Sequence, residues 1–259
     1  MRALVICLLI LNPLWARALG DMLFSAEPQS QSSFALGTRA WHGANQGDQS
    51  YDGLRLEAPV LQWNLALGER AEGVLGISAL RFLRGGEPEI WGGGDPYFYT
   101  KLLLLDGQPS FMPWSSQLSF IWGVLEPAAN RPLGDDRLTF YAILAYGWQS
   151  GDWRWDLNYG AAIAESFSTN NQIDIIETGL RVQRQVHPEH VLALEYFHAD
   201  RVIGHWLDIS KAVPSPFARR QWQAQWHYGE QQQWRLALGS GLIPESGGLL
   251  GSVAYHWYF

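Results

Sequence analysis

Residues 221–228 read Gln221-Trp222-Gln223-Ala224-Gln225-Trp226-His227-Tyr228, so that polar and apolar side chains alternate without interruption. The even-numbered positions are apolar or aromatic, and the odd-numbered positions carry Gln or His. A period of two residues is that of a β-strand whose faces meet different surroundings. The stretch therefore predicts a strand with one face towards an apolar medium and the other towards water.

The same alternation recurs along the chain. In residues 153–159 the polar side chains Arg154, Asp156 and Asn158 share one parity, and residues 176–183 repeat the division. A soluble sandwich seldom buries Arg, Asp and Glu from several strands on one face. The pattern favours a barrel that turns its apolar face to lipid and its polar face to the interior.

The breaks between these runs alternate between short and long. Short breaks with turn-forming residues occur at residues 68–70, 106–108, 150–152, 187–189 and 229–231. Longer polar or Pro/Gly-rich segments occupy residues 43–51, 85–95, 126–136, 165–172, 204–215 and 243–248. Outer-membrane barrels have short periplasmic turns and longer external loops.

The runs between the breaks number about twelve, with both chain termini on the short-turn side. Residues 54–67 change parity near Pro59, which predicts a β-bulge because proline cannot donate to a strand ladder. Residues 74–82 and 111–122 alternate poorly. The predicted fold is all-β, a closed antiparallel up-and-down transmembrane β-barrel with no spanning helix.

The N-terminus has the three parts of a secretory signal peptide. Arg2 precedes an apolar run over residues 4–11, and the small-residue site Ala16-Arg17-Ala18 follows. We predict that residues 1–20 are a signal peptide cleaved after Ala18 or Gly20, and that residues 21–259 form a single domain in the outer membrane of a Gram-negative cell. A lipoprotein signal at Cys7 is the alternative, but Cys7 lies inside the apolar run.

The last strand is the most specific signal for this location. Val253, Tyr255, Trp257 and the terminal Phe259 share one parity, with smaller or polar residues between them. This arrangement resembles the recognition strand of bacterial outer-membrane proteins. It predicts partners in the assembly machinery, outer-membrane lipid and lipopolysaccharide, and pairing with a first strand near residues 34–40; a soluble periplasmic β-protein is the alternative. Trp residues near the predicted short turns, Trp148, Trp153, Trp155, Trp222, Trp226 and Trp234, favour an aromatic girdle at the periplasmic interface.

Composition excludes several other functions. The net charge of −7 disfavours binding to nucleic acid. Cys7 is the single cysteine, so the mature chain can form neither a disulfide nor a thiolate metal site. His205, His227 and His256 lie on separate segments, and we predict neither a metal nor a cofactor.

Function is predicted to reside on the inward parity. The predicted lumen-lining residues are Arg39, Lys101, Arg154, Asp156, Asn158, Glu177, Arg181, Gln183, Glu195, Gln221, Gln223, Gln225, His227 and Arg235. Their mixed charges fit either a narrow channel or a salt-bridged packed core. We predict a channel or uptake barrel for small solutes rather than an enzyme. A structural or adhesin-like barrel is a further alternative, although the predicted loops are short for a binding platform.

One hydrolase alternative has a candidate residue. Outer-membrane acyl hydrolases place a His and a Ser near each other at the bilayer edge. His198 lies in Tyr196-Phe197-His198-Ala199-Asp200 without an adjacent Ser, and the nearest hydroxyl-rich stretch is residues 165–169. The hypothesis requires a Ser or Thr hydroxyl within hydrogen-bond reach of His198.

A family resemblance enters at Gly92-Gly93-Gly94-Asp95-Pro96-Tyr97, followed by a strand to Leu105, by Pro109-Ser110, and later by Leu157-Asn158-Tyr159-Gly160. The order is similar to that of the outer-membrane proteins associated with phenol meta-pathway degradation, over residues 57–162. Lys101 matches the family's strand lysine, and Asn158 with Gly160 matches a later strand. The family's Pro-Thr-Gly element is replaced by Arg131-Pro132-Leu133-Gly134. The resemblance implies uptake of small hydrophobic or aromatic molecules.

Overall fold

The computed structural model describes residues 23–42, 45–46, 49–50, 53–84, 90–94, 96–107, 115–125, 139–166, 171–201, 219–229, 232–242 and 248–259. The predicted signal peptide and much of the predicted long loops lie outside these ranges. Within them, no helix is long and apolar enough to cross a membrane.

Twelve strands of the described ranges close into one antiparallel barrel. They are β1 (Ser33–His42), β2 (Leu54–Ala66), β3 (Ala71–Ser78), β4 (Tyr97–Gly107), β5 (Ser115–Leu125), β6 (Thr139–Ser150), β7 (Trp153–Ser166), β8 (Asn171–His187), β9 (His190–Arg201), β10 (Arg219–Tyr228), β11 (Gln232–Gly241) and β12 (Leu249–Tyr258). Short strands at Arg81–Arg84 and Ile90–Gly92 extend the wall beyond β3 and β4, and Asn45–Gln46 pairs with Gln49–Ser50. The predicted fold class is confirmed.

The barrel closes where β12 pairs with β1. Their register runs from Ser33 opposite Tyr258 to Trp41 opposite Leu250, and β1 pairs on its other side with β2. The predicted pairing of first and last strands is confirmed. Because hydrocarbon offers no hydrogen-bond partner, closure removes the two sheet edges that lipid could not satisfy.

The predicted bulge in β2 is present. The β1–β2 register shifts between Gly37 and Arg39, where Ala58 and Pro59 both face the single residue Thr38. The buried parity accordingly changes from odd numbers at Glu57 to even numbers at Gln62. A bulge leaves one residue out of the hydrogen-bonded ladder. Proline can occupy that position, because its missing N–H is not needed there.

The poor alternation of residues 74–82 coincides with an interruption of the wall. β3 ends at Ser78, and the pairing with β2 resumes only at Arg81–Arg84 opposite Leu54–Glu57. Backbone bonds from Ala79 N–H to the Pro59 carbonyl and from Ala58 N–H to the Leu80 carbonyl, at 2.8 and 3.0 Å, bridge the gap. The barrel therefore stays hydrogen-bonded across the break.

The outer face carries the side chains of a lipid-facing surface. Exposed Leu, Ile, Phe, Tyr and Trp alternate with buried residues along β2 to β11. At the short-turn end, Trp63, Phe34, Trp257, Tyr255 and Trp234 form a chain of neighbouring rings with centroids 4.3 to 5.8 Å apart. Such a girdle is typical of the membrane interface.

One predicted member of this girdle belongs elsewhere. Trp222 pairs with Tyr196 and Ser240, seven positions before Gly229, where the turn after β10 begins. The spacing along the strand places it in the half of the barrel away from the short turns. Trp226 lies beside His190 near the turn, as predicted.

The strand orientation can be tested with two arginine substitutions on adjacent strands. Val253 faces outward near the middle of β12, so Val253→Arg should lower the stability of the folded barrel in lipid vesicles by about 2 to 4 kcal/mol. Gln233 on β11 lines the interior cavity, where water can reach a new charge, so Gln233→Arg should cost less than Val253→Arg although it loses the hydrogen bond from Arg235. The folded fraction is measured by urea titration. Tolerance of Val253→Arg together with loss of insertion in Gln233→Arg would reverse the assigned faces.

Candidate functional site in the barrel interior

The structure places every predicted lumen-lining residue on the face directed into the barrel. Arg39, Gln183 and Arg235 are half-buried there, and the others are buried. The outward neighbours on the same strands are the exposed apolar residues. The predicted residues come from seven strands, β1, β4 and β7 to β11. Buried Glu57, Gln62 and Asn64 on β2 and Glu72 on β3 extend the polar interior to two more strands.

The interior divides into two zones along the barrel axis. In the half away from the short turns, β4 to β9 contribute an apolar zone formed by Tyr97, Tyr99, Ile121, Tyr141, Ile143, Ala162, Ile175, Phe197 and Ala199. The half nearer the short turns holds the ion pairs of Lys101, Arg154 and Arg181, while the Arg39–Glu57 pair lies in the other half. The sequence did not predict this zone. Its residues alternate with outward residues along their strands with the same two-residue period as the polar inward residues, so the period alone does not set them apart.

Residues 23–32 run inside the barrel from the apolar zone down to the short-turn end, and sequence analysis missed this segment altogether. We call residues 23–29 the internal segment. Leu23, Phe24 and Ala26 are almost completely buried inside the barrel, within the same cluster as the apolar zone. The chain then leaves at Ser33 to begin β1.

Side chains of the wall satisfy the backbone of the internal segment. Phe24 N–H donates to Asn158 Oδ1 at 2.8 Å, and Asn158 Nδ2 donates back to the Phe24 carbonyl at 2.9 Å. Ala26 N–H donates to Asp156 Oδ1 at 2.9 Å, and Ser119 Oγ donates to the Ala26 carbonyl. Asn158 thus presents the donor and acceptor pair that a neighbouring strand would otherwise provide.

Charged groups of the wall contact Glu27 and Gln29, the part of the internal segment nearer the short turns. Arg154 pairs with the Glu27 carboxylate at 2.7 Å, and Lys101 Nζ donates to the Glu27 carbonyl at 3.0 Å. Glu72 accepts the Gln29 N–H at 2.5 Å and pairs with Lys101 at 2.9 Å. Both residues picked out by the family resemblance, Lys101 and Asn158, therefore contact the internal segment.

Packing fixes the position of the segment. The Phe24 ring meets Tyr99 edge-on at 4.9 Å and stacks with Tyr141 at 6.1 Å. A Cβ on Gly179 would lie 2.2 Å from Leu23, and one on Gly147 would lie 2.9 Å from the Ala26 Cβ. These glycines leave the space that the segment occupies, so larger residues would displace it or move the wall.

The rest of the polar interior is held by ion pairs and amides. Arg181 pairs with Glu195 at 2.8 Å, Gln223 donates to the same carboxylate at 2.7 Å, and Arg39 pairs with Glu57 at 3.1 Å. Buried charges require such partners. The pairs line the wall rather than bridging the barrel, since Arg181 and Glu195 are register neighbours on β8 and β9.

A cavity of about 570 Å³ lies between the internal segment and the wall. Its lining includes Lys101, Arg181, His227 and Arg235 together with Glu27 and Glu72. The volume is within the range of about 300 to 1,000 Å³ usual for small-molecule sites. Beside the internal segment the lumen thus retains space for a small solute.

His198 lies on the outward face of β9 rather than in the interior. It faces Thr178 and Arg220 in the register, and its ring Nδ1 accepts a hydrogen bond from Arg220 Nε at 3.3 Å. Among the described residues, no Ser or Thr hydroxyl is hydrogen-bonded to His198. The hydrolase hypothesis therefore lacks its nucleophile in this part of the chain.

The turn between β8 and β9 carries a group with metal-ligand chemistry. His187, Glu189 and His190 offer ligand atoms within 4.8 Å of one another. However, His190 Nδ1 accepts the Trp226 indole N–H at 3.0 Å, and His187 Nδ1 accepts the Glu189 backbone N–H at 3.4 Å. Both lone pairs are already engaged, so we assign no metal to this turn.

Solved structures resemble this fold. An outer-membrane channel from Pseudomonas putida F1 superposes with a TM-score of 0.61 at 15% identity, covering 90% of this chain and 98% of that one. The NanC porin superposes with a TM-score of 0.51 at 6% identity, covering 86% and 96%. No family model matches the chain, and a search of curated protein sequences gives no match. At such identities the likeness establishes the fold alone.

Asn158→Ala tests how the internal segment is held. The substitution removes the two hydrogen bonds to Phe24, so it should lower the unfolding free energy by about 1 to 3 kcal/mol and speed hydrogen exchange at the Phe24 amide. Tyr159→Phe is the matched control, because Tyr159 is the next residue on β7 and faces outward. Unchanged exchange at Phe24 in Asn158→Ala would contradict the assigned contact.

Proposed function

We propose that this protein is an outer-membrane channel for small solutes. The observation that carries the proposal is a closed barrel that is apolar outside and lined inside by charged, amide and apolar zones, with a cavity beside the internal segment. This cavity is space in the lumen that a fully packed core would fill with side chains. In this proposal the outward face contacts outer-membrane lipid and lipopolysaccharide, and Val253, Tyr255, Trp257 and Phe259 are read by the assembly machinery.

The apolar zone supports hydrophobic or aromatic solutes as the substrate class. Tyr97, Tyr99, Tyr141 and Phe197 form a buried aromatic cluster inside the barrel, and Tyr99 also lines the cavity. Phe24 shows that an aromatic ring fits between Tyr99 and Tyr141. Ring pairs of this kind favour an aromatic guest by about 0.5 to 1.5 kcal/mol beyond simple burial. The polar zone below supplies hydrogen-bonding and charged groups for the rest of a solute.

Planar bilayers test the channel directly. The purified protein should produce discrete conductance steps, smaller than those of a wide porin, because twelve strands enclose a narrower lumen. A chain lacking residues 23–29 serves as a second sample with an emptier lumen. Absence of conductance from both proteins, each shown to be folded, would overturn the proposed channel function.

Solute preference is a separate test. Benzenesulfonate and methanesulfonate carry the same fixed charge and cross lipid slowly, and protein-containing liposomes should admit the aromatic ion in preference to the smaller one. Phe197→Leu should lower that ratio because it removes a ring from the apolar zone. Tyr196→Leu, at the adjacent outward position, should leave the ratio unchanged. Equal effects of the two substitutions would contradict an aromatic-selective lumen.

A further inference from the structure

The internal segment occupies the lumen without being part of the barrel wall. The hydrogen bonds of residues 24, 26, 27 and 29 described above come from the side chains of Glu72, Lys101, Ser119, Asp156 and Asn158, not from the backbone of a neighbouring strand. We propose that this segment is a displaceable gate that closes the channel from inside. The inference rests on the proposed channel function and adds its regulation.

Displacement costs little to the barrel itself. Each strand of the wall keeps both of its backbone ladders when the segment leaves, because the register of β1 to β12 closes without it. Of the wall groups left behind, Glu72 and Lys101 already line the cavity. Water that enters the vacated space can replace the lost partners of Ser119, Asp156 and Asn158. Glu27 already has a side chain that is 58% exposed although it pairs with Arg154.

The tether sets the direction of opening. Ser33 begins β1 at the short-turn end, opposite Tyr258 on one side and Asn64 on the other. Residues 23–32 can span at most about 35 Å when extended, which is enough to reach the apolar zone from that end. The segment therefore swings out through the short-turn end, where the start of β1 anchors it.

Opening would expose the space that the Phe24 ring occupies between Tyr99 and Tyr141. It would also expose Asn158 and, nearer the short turns, Arg154. A solute that binds these groups competes with the segment, since it can bind only the open state. Such a ligand shifts the population towards the open channel in proportion to its affinity for that state.

A disulfide between the segment and the wall tests the gate. Ala26→Cys with Gly147→Cys places the two Cβ atoms about 2.9 Å apart, and a shift of under about 1 Å brings them to disulfide distance. Cys7 is the only natural cysteine and lies in the predicted signal peptide, so the mature double variant holds just this pair. The oxidised protein should remain closed in planar bilayers, and dithiothreitol should open it.

Three further samples separate the explanations. Each single-cysteine variant should be insensitive to dithiothreitol. Asn158→Ala should raise the open probability of the otherwise unmodified channel by about tenfold, because two hydrogen bonds to the segment are lost. Deletion of residues 23–29 should give a channel that is open continuously.

The outcomes distinguish the gate from the channel. Conductance that is the same in the oxidised, reduced and segment-deleted proteins would overturn the gate and leave the channel intact. Silence of the folded segment-deleted protein would overturn the channel. Opening on reduction, with unresponsive single-cysteine controls, supports both.

Discussion

The pairing of β12 with β1 is the interaction on which the rest of the structure depends. In hydrocarbon an exposed N–H or carbonyl has no partner, so a sheet is stable there only when its two edge strands satisfy each other. The seam from Ser33 to Trp41 achieves this, and it places outward Phe34 and Trp257 side by side at the short-turn end. Closure directs one face of every strand into a common interior. The charged, amide and aromatic side chains described above lie in that interior.

Closure also explains where the N-terminal chain goes. Because β1 begins at the short-turn end with its partners in place on both sides, the preceding residues can only leave the barrel or turn back into it. Leu23 and Phe24 find apolar side chains inside, and the wall meets their backbone with Asn158 and Asp156. The burial of Leu23 and Phe24 in the apolar zone and the pairing of Glu27 with Arg154 then position the segment beside the remaining cavity.

The interior combines two chemistries, aromatic and charged. Aromatic rings of β4 to β9 occupy the half away from the short turns, and the pairs Lys101–Glu72 and Arg181–Glu195 lie nearer the short turns. The charges are matched mainly within the wall, as Arg181 is with Glu195, so they remain beside the lumen without crossing it. This arrangement differs from a salt-bridged core, in which opposite walls would be tied together.

The sequence by itself determined the strands, their faces and the closed barrel. The two-residue period and the position of Pro59 are local features, so the face of each side chain can be predicted without knowing which strands pair. It also placed Arg154, Asp156 and Asn158 on the inward face. Only the tertiary structure decided what those side chains touch. Residues 23–29 have no periodicity to mark them, and Gly147 and Gly179 carry no local sign that they leave room for Ala26 and Leu23. The reason is physical: the contacts of Phe24 with Asn158 join residues that only barrel closure brings within hydrogen-bonding distance.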